Sequence, residues 1–118
     1  MIAYSIFARC TARDWRSVML AAFSVVPLGV GESVSGLVAG MVPLIEASGL
    51  PYKVGAMQTT IEGDEADVLA VIMDCHRYMR EKAPRVLTHI TIDDRAGATG
   101  RLEGKVQDLE RIVGRELQ

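Results

Sequence analysis

The sequence is poor in three features, and each of them limits the possible folds or functions of the chain. Aromatic residues make up only 5% of a sequence that is 49% hydrophobic, so its core must be built from aliphatic side chains. Lysine and arginine do not outnumber the acids, 13 against 15, so the chain lacks the basic footprint of a nucleic-acid-binding protein. The two cysteines, Cys10 and Cys75, stand too far apart for a CxxC metal motif and predict a reducing, cytoplasmic setting.

Long apolar runs are also missing, and a membrane span would need about 20 apolar residues in succession. Residues 18–31 carry no charge and follow Arg13 and Arg16, which is the pattern of a short signal peptide. We interpret residues 21–28 instead as a buried strand, because the rest of the chain supplies no other first strand. The sequence therefore predicts no membrane partner.

Hydrophobic spacing beyond this point alternates between strand and helix periods. It predicts strands at 21–26, 52–57, 58–62 and 86–93, and helices from 32 or 33 to 48, from 64 to 83 and from 102 to 117, with a kink at Pro43. This order predicts an α+β, ferredoxin-like βαββαβ fold, an antiparallel sheet with both main helices on one face, plus a C-terminal helix. We divide the chain into an N-terminal extension, residues 1–19, to which no role is assigned, and one domain, residues 20–118.

Alternation along the strands separates a face under the helices from an open face. We expect Phe23, Val25 and the set at 86, 88, 90 and 92 to lie under the helices. The open face then collects polar side chains: Ser24, Gln58, Thr60, Glu62, His89, Thr91 and Asp93. Such a mixture can recognise a polar heterocycle, and an ordinary solvated face or a subunit contact explains it equally well.

The remaining motifs favour structural interpretations. Residues 29–33 could hold an anion at a helix start, but Glu32 opposes this, and a plain loop is the simpler interpretation. Cys75 and His76 diverge by about 100° on a helix, which favours core packing over a catalytic pair. His89 fits a ligand contact or a cross-strand hydrogen bond, and residues 93–95 fit a cation site or, more simply, a salt-bridged turn.

Catalytic and metal-binding proteins of this fold carry sequence features that are absent here. An acylphosphatase-like hydrolase needs an arginine in the loop after the first strand and an asparagine to position water. Residues 27–33 contain no arginine, and the sequence contains no asparagine. A metal chaperone would need CxxC in the same loop. We therefore predict no catalytic residues, no metal and no required cofactor.

Several strings, taken in order and spacing, resemble the small thiamine-binding protein family of bacteria, archaea and yeast. They are FSVVPLG at 23–29, EASGLPY at 46–52, GAMQTTIEG at 55–63, CH at 75–76 and ITIDDR at 90–95. The resemblance runs from about residue 21 to residue 117. It implies non-enzymatic binding of thiamine, or of its hydroxymethylpyrimidine part, by a homo-oligomer assembled through sheet pairing, commonly a tetramer of paired dimers.

The resemblance and the strand faces together predict which residues contact the ligand. The candidate residues are Ser24, Leu28, Met57, Gln58, Thr60, Glu62 and His89. Glu62 would accept a hydrogen bond from the exocyclic amine and offset the thiazolium charge, while serine, threonine and glutamine side chains bond the ring nitrogens. Leu28 and Met57 would form an apolar wall. The alternative is a regulatory or structural oligomer of the same fold with another small ligand or none.

Overall fold

The computed structural model describes residues 18–31 and 34–118. Its elements are β1 Met19–Leu28, α1 Ser35–Ala39, α2 Val42–Ala47, β2 Tyr52–Val54, β3 Thr59–Gly63, α3 Glu65–Arg80, β4 Arg85–Asp93 and α4 Arg101–Val113. The strands form one antiparallel sheet in the order β2-β3-β1-β4. The predicted ferredoxin-like α+β fold with a C-terminal helix is confirmed. The predicted extension and the predicted first helix start lie outside the described residues, except that Val18 and Met19 lead into and begin β1.

The core lies between one face of the sheet and α3. Phe23 and Val25 are buried on that face, as the alternation predicts, together with Ile61 of β3. Helix α3 supplies side chains three and four residues apart, so that one stripe of the helix is fully buried. Each large aliphatic side chain buried in this way contributes about 1.5–3 kcal/mol. The low aromatic content is thus offset by close aliphatic packing.

The first helical segment is broken rather than kinked. The break falls at Gly40–Met41, and Pro43 lies in the first turn of α2, where its missing N–H removes no helical hydrogen bond. Tyr78 of α3 fills the space beside the break, since a Cβ on Gly40 would lie 1.8 Å from the Tyr78 hydroxyl oxygen. Glycine at position 40 therefore permits the close approach of α3 to this junction.

The helix layer covers only part of β4. Val86 packs against the core, and the Thr88 hydroxyl shares a hydrogen bond of 2.6 Å with Nδ1 of His76 on α3. Ile90 and Ile92 were expected under the helices, yet 40% and 48% of their surface is exposed. The reason is that β4 is an edge strand, and the helix layer is centred on β1.

Candidate functional site

Helix α4 packs on one end of the face that the sequence predicted to be open. It begins after Gly100, whose φ of 65° is left-handed and which has no side chain to cap the helix. Glu62 of β3 caps it instead: the N–H of Arg101 donates to Oε2 at 2.7 Å, and the N–H of Leu102 donates to Oε1 at 3.4 Å. A carboxylate at a helix N-terminus is also favoured by the helix dipole. Glu62 is consequently only 6% exposed.

A cleft opens where β1 extends beyond its neighbour. Strand β1 pairs with β4 from Leu20 to Leu28, but with β3 only from Met19 to Phe23. On the β3 side, the later half of β1 therefore has no strand partner among the described residues. A space of about 200 Å³, here called the β1 cleft, lies at this step and is lined by residues 23–27, 34, 38, 41 and 54–59.

Among the described residues, the walls of the β1 cleft are mainly apolar and carry no formal charge. Phe23, Val38 and Met41 form one side, and the turn between β2 and β3 forms the other. That turn is closed by a hydrogen bond of 2.8 Å from the N–H of Gly55 to the carbonyl of Gln58. Side-chain polar groups come from the lining hydroxyls and from Gln58. A flat, uncharged heterocycle with donors and acceptors on its edge suits such a space.

A larger space lies beneath α4, on the face of the sheet that the sequence predicted to be open. This α4 cavity has a volume of about 370 Å³ and is lined by residues 20, 22, 53, 60, 91, 93, 101, 102, 105 and 106. Unlike the β1 cleft, it is bordered by charged side chains from β2, β4 and α4. The sheet therefore carries two chemically different cavities near opposite ends of β1.

The structure divides the seven predicted ligand contacts between several places. Three of them, Ser24, Met57 and Gln58, line the β1 cleft, and Met57 is 86% exposed at the tip of the turn. Thr60 lines the α4 cavity. The other three, Leu28, Glu62 and His89, line neither of these two cavities.

Those last three residues have other neighbours. Glu62 caps α4, His89 pairs with Ser24 across β1 and β4, and Leu28 pairs with Arg85 at the end of β1. The role of all seven in ligand binding stays a prediction.

The lesser motifs take structural positions. Cys75 is a free, fully buried thiol, and burial, followed by the neighbouring charge of Asp74, raises its pKa from 9.0 to about 11. Asp93 accepts a hydrogen bond of 2.6 Å from Nζ of Lys105, which lowers the pKa of its carboxyl. No cluster of metal-ligating side chains occurs in residues 18–31 and 34–118. Over the same residues, no helix has the length and apolar character of a membrane span.

Sequence reasoning missed one wall of the β1 cleft. Val34, Val38 and Met41 appeared in the sequence as one apolar helical stripe, which indicates core packing. In the structure Met41 is buried, whereas Val38 remains exposed at the cleft. The step between β1 and β3 depends on where β3 begins, and hydrophobic spacing does not fix a strand end to one residue.

Fold and cavities define the class of the protein: a ferredoxin-like α+β fold with ligand-sized spaces on its sheet. The model of the family described as "Thiamine-binding protein" matches residues 21–110. The chain belongs to this family. It is 43% identical over 96 residues to the UPF0045 protein Mb1933 of Mycobacterium bovis, covering 80% of this chain and 94% of that protein. It is 35% identical over 98 residues to the UPF0045 protein YqgV of Bacillus subtilis, covering 78% and 94%.

Solved structures share the fold along nearly their whole length. Protein MJ1052 of Methanocaldococcus jannaschii superposes with a TM-score of 0.73 at 28% identity, covering 78% of this chain and 95% of that one. A protein of Thermotoga maritima described as a putative thiamine biosynthesis/salvage protein superposes with a TM-score of 0.69 at 25% identity, covering 78% and 98%. The predicted family resemblance is confirmed.

Proposed function

We propose that this protein binds thiamine or a related aminopyrimidine without catalysing a reaction, and that the pyrimidine ring lies in the β1 cleft. The observation that carries the proposal is that the described residues lining this cleft are uncharged and mainly apolar and include Ser24 and Gln58. Family membership supports the ligand class. No cofactor is required, because the ligand itself is what the protein holds.

The chemistry of the cleft favours the pyrimidine half of thiamine over the thiazolium half. An aminopyrimidine is flat and neutral, and it offers ring nitrogens and an amine at its edge. The Gln58 amide can both donate and accept, and the Ser24 hydroxyl can do the same. Backbone groups on the unpaired side of β1 add further donors and acceptors. The cationic thiazolium would find no counter-charge among the described lining residues and would extend toward solvent.

Calorimetric titration with thiamine, hydroxymethylpyrimidine and the thiazole half tests this proposal. We expect thiamine and hydroxymethylpyrimidine to saturate near one per chain, with little heat from the thiazole. Gln58→Ala should weaken binding about three- to tenfold, the value of one hydrogen bond in a partly enclosed site. Gln107→Ala changes an exposed glutamine of α4 that lines neither cavity, so it serves as the matched control and should leave the affinity unchanged, while Thr60→Ala tests the predicted Thr60 contact. Saturable binding lost in Thr60→Ala but kept in Gln58→Ala would move the ligand out of the cleft.

Leu28, Glu62 and His89 do not line the cleft, and their predicted contacts with the ligand can be tested by the same titration. An affinity that falls in Glu62→Gln, a variant that keeps the side-chain shape, would support the earlier prediction that this carboxylate meets the exocyclic amine.

We also propose that the chain acts in the cytoplasm as a homo-oligomer, a tetramer of paired dimers. The free thiol of Cys75 fits a reducing compartment. The outer edge of β4 has no partner strand among the described residues, and Leu87, Ile90 and Ile92 are exposed along it. Such an edge favours pairing with a second copy. Light scattering after size exclusion should give a multiple of 12.8 kDa, whereas a monomer at micromolar concentration would contradict the assembly.

A second candidate function rests on the same exposed strand edge, which is independent of the cleft. The chain would then be a regulatory or structural oligomer that binds another small ligand or none. An oligomer that shows no heat with any of the thiamine-related compounds would favour this function over the first.

A further inference from the structure

The α4 cavity has the size and surface of a second binding site. Leu20 and Ala22 of β1 form an apolar floor, and Leu102 and Val106 of α4 form an apolar roof. Its volume of about 370 Å³ exceeds that of the β1 cleft and is within the range of small-molecule pockets. Since the two cavities share no lining residue, a ligand in one does not fill the other.

Positive side chains dominate the polar part of this wall. Lys53 comes from β2, and Arg101 and Lys105 stand one helical turn apart on α4. A small adjoining space of about 60 Å³ shares Arg101 and Lys105 and adds Arg95. Among the described residues, Asp93 is the only acid that lines either space. Asp93 already pairs with Lys105 at 2.6 Å. The described lining still has four cations against this one carboxylate, which makes this corner of the molecule attractive to an anion, although the whole chain has a net charge of −2.

Two of these cations have acidic partners that lie outside the cavity wall. Lys53 pairs with Glu103 at 2.8 Å, and Arg101 pairs with Asp108 at 2.8 Å. Neither acid lines the α4 cavity or the adjoining space. Exposed ion pairs of this kind contribute little free energy, so a ligand anion can compete with them or add to them.

The N-terminus of α4 is not where such an anion would bind. Its first N–H groups already donate to the Glu62 carboxylate, which would repel a second anion placed there. The anion must therefore be held by the side chains of Lys53, Arg101 and Lys105 and not by the backbone N–H groups of the helix start.

We propose that the α4 cavity binds a small amphipathic anion, a molecule with an apolar body and one phosphate or carboxylate group. The apolar body lies between Leu20 and Val106, and the anionic group lies among Lys53, Arg101 and Lys105. The charged lining distinguishes this site from the uncharged β1 cleft, so the two sites take ligands of different charge. The proposal does not depend on what the β1 cleft binds.

Phenyl phosphate is a suitable probe, because it joins an apolar ring to a phosphate. In calorimetric titrations of the full chain we expect saturable binding near one per chain, weakened by salt, with weaker heats from inorganic phosphate and from phenol alone. Benzoate in a parallel titration shows whether a carboxylate replaces the phosphate. Saturation with neither phenyl phosphate nor benzoate at millimolar concentration would overturn the proposal.

Variants locate the probe. Lys53→Gln and Lys105→Gln should each lower the affinity about fivefold at low salt, the effect of one partly exposed charge pair. Arg111→Gln is the matched control, because Arg111 is an exposed cation on the same helix that lines neither space and pairs with Asp108. An equal loss in all three variants would indicate non-specific attraction and refute the site. Binding that disappears in Gln58→Ala would place the probe in the β1 cleft instead.

Discussion

Glu62 links β3 to a helix that begins 39 residues later, and replacing it tests how α4 is held on the sheet. Glu62→Ala removes a carboxylate that accepts one short and one long hydrogen bond from backbone N–H groups. A hydrogen bond to a charged group contributes about 1.5–3 kcal/mol. Loss of a helix cap costs about 1 kcal/mol. These values overlap, because both describe the same contact.

The expected loss is smaller than their sum for two further reasons. Arg101 and Leu102 are partly exposed, so water can replace part of the contact after the substitution. Removing a carboxylate that is only 6% exposed also relieves the cost of its desolvation. We therefore expect Glu62→Ala to lower the free energy of unfolding by about 2 kcal/mol. For a domain of this size, this is a fall in Tm of roughly 8 °C.

Urea unfolding followed by circular dichroism measures this change, and hydrogen exchange of the α4 amides locates it. Glu103→Ala is the control, since it removes an acid of the same charge from an exposed pair with Lys53 and should cost less than about 0.5 kcal/mol. The capping argument is refuted if the two variants are equally stable, or if the α4 amides exchange no faster in Glu62→Ala than in the parent chain.

Three further predictions follow from single contacts. Gly40→Ala should destabilise the fold by about 1–3 kcal/mol, because its methyl group has no room, whereas Gly36→Ala within α1 should raise stability slightly. Thermal melts of the two variants compare them directly, and equal melts would contradict the close packing. In an NMR titration the Asp93 carboxyl should protonate below its ordinary pKa, and Lys105→Gln should return it upward. The Asp93–Lys105 pair stabilises the native chain at pH values above the ordinary carboxyl pKa, and this stabilisation is lost as the pH falls. An Asp93 titration midpoint that does not move in Lys105→Gln would refute the pairing. The Cys75 thiol should resist alkylation in the native chain, as read by mass spectrometry of its peptide. Because the unfolded thiol ionises near 9.0 and the native thiol near 11, stability should fall as the pH rises between these values, and rapid native labelling would contradict its burial.

Local patterns in the sequence were sufficient for the sheet and its buried face. Phe23 and Val25 alternate with polar or small neighbours and are buried as predicted, and Thr88 reaches α3 as its position requires. Alternation alone also placed Ser24 and His89 on one face, and the register pairs them directly. These features depend only on the alternation of residues along each strand, and this alternation can be seen in the sequence.

Features that depend on distant contacts could not be predicted in this way. The amphipathic pattern of the last helix showed that it must pack somewhere, but not that Glu62 would cap it on the open face. The same limit applies to Ile90 and Ile92, whose strand parity is right but whose cover depends on where α3 crosses the sheet. Burial depends on how all the elements pack together. Alternation along a strand therefore predicts on which face a side chain lies, but not whether a helix packs over it.

The unequal lengths of the strands explain why the candidate sites lie where they do. β3 has five residues and β1 has ten, so among the described residues β1 has a partner on its β3 side over its first half only. The later half of β1 lines the β1 cleft. Next to its first half, Glu62 of β3 lies opposite Leu20 and caps α4, which positions this helix on the sheet. One difference in strand length therefore separates an uncharged cavity from a cationic one. A change that lengthens β3 by extending its pairing toward Ser24 would close the first cavity while leaving the second intact, which makes the two sites separable by design.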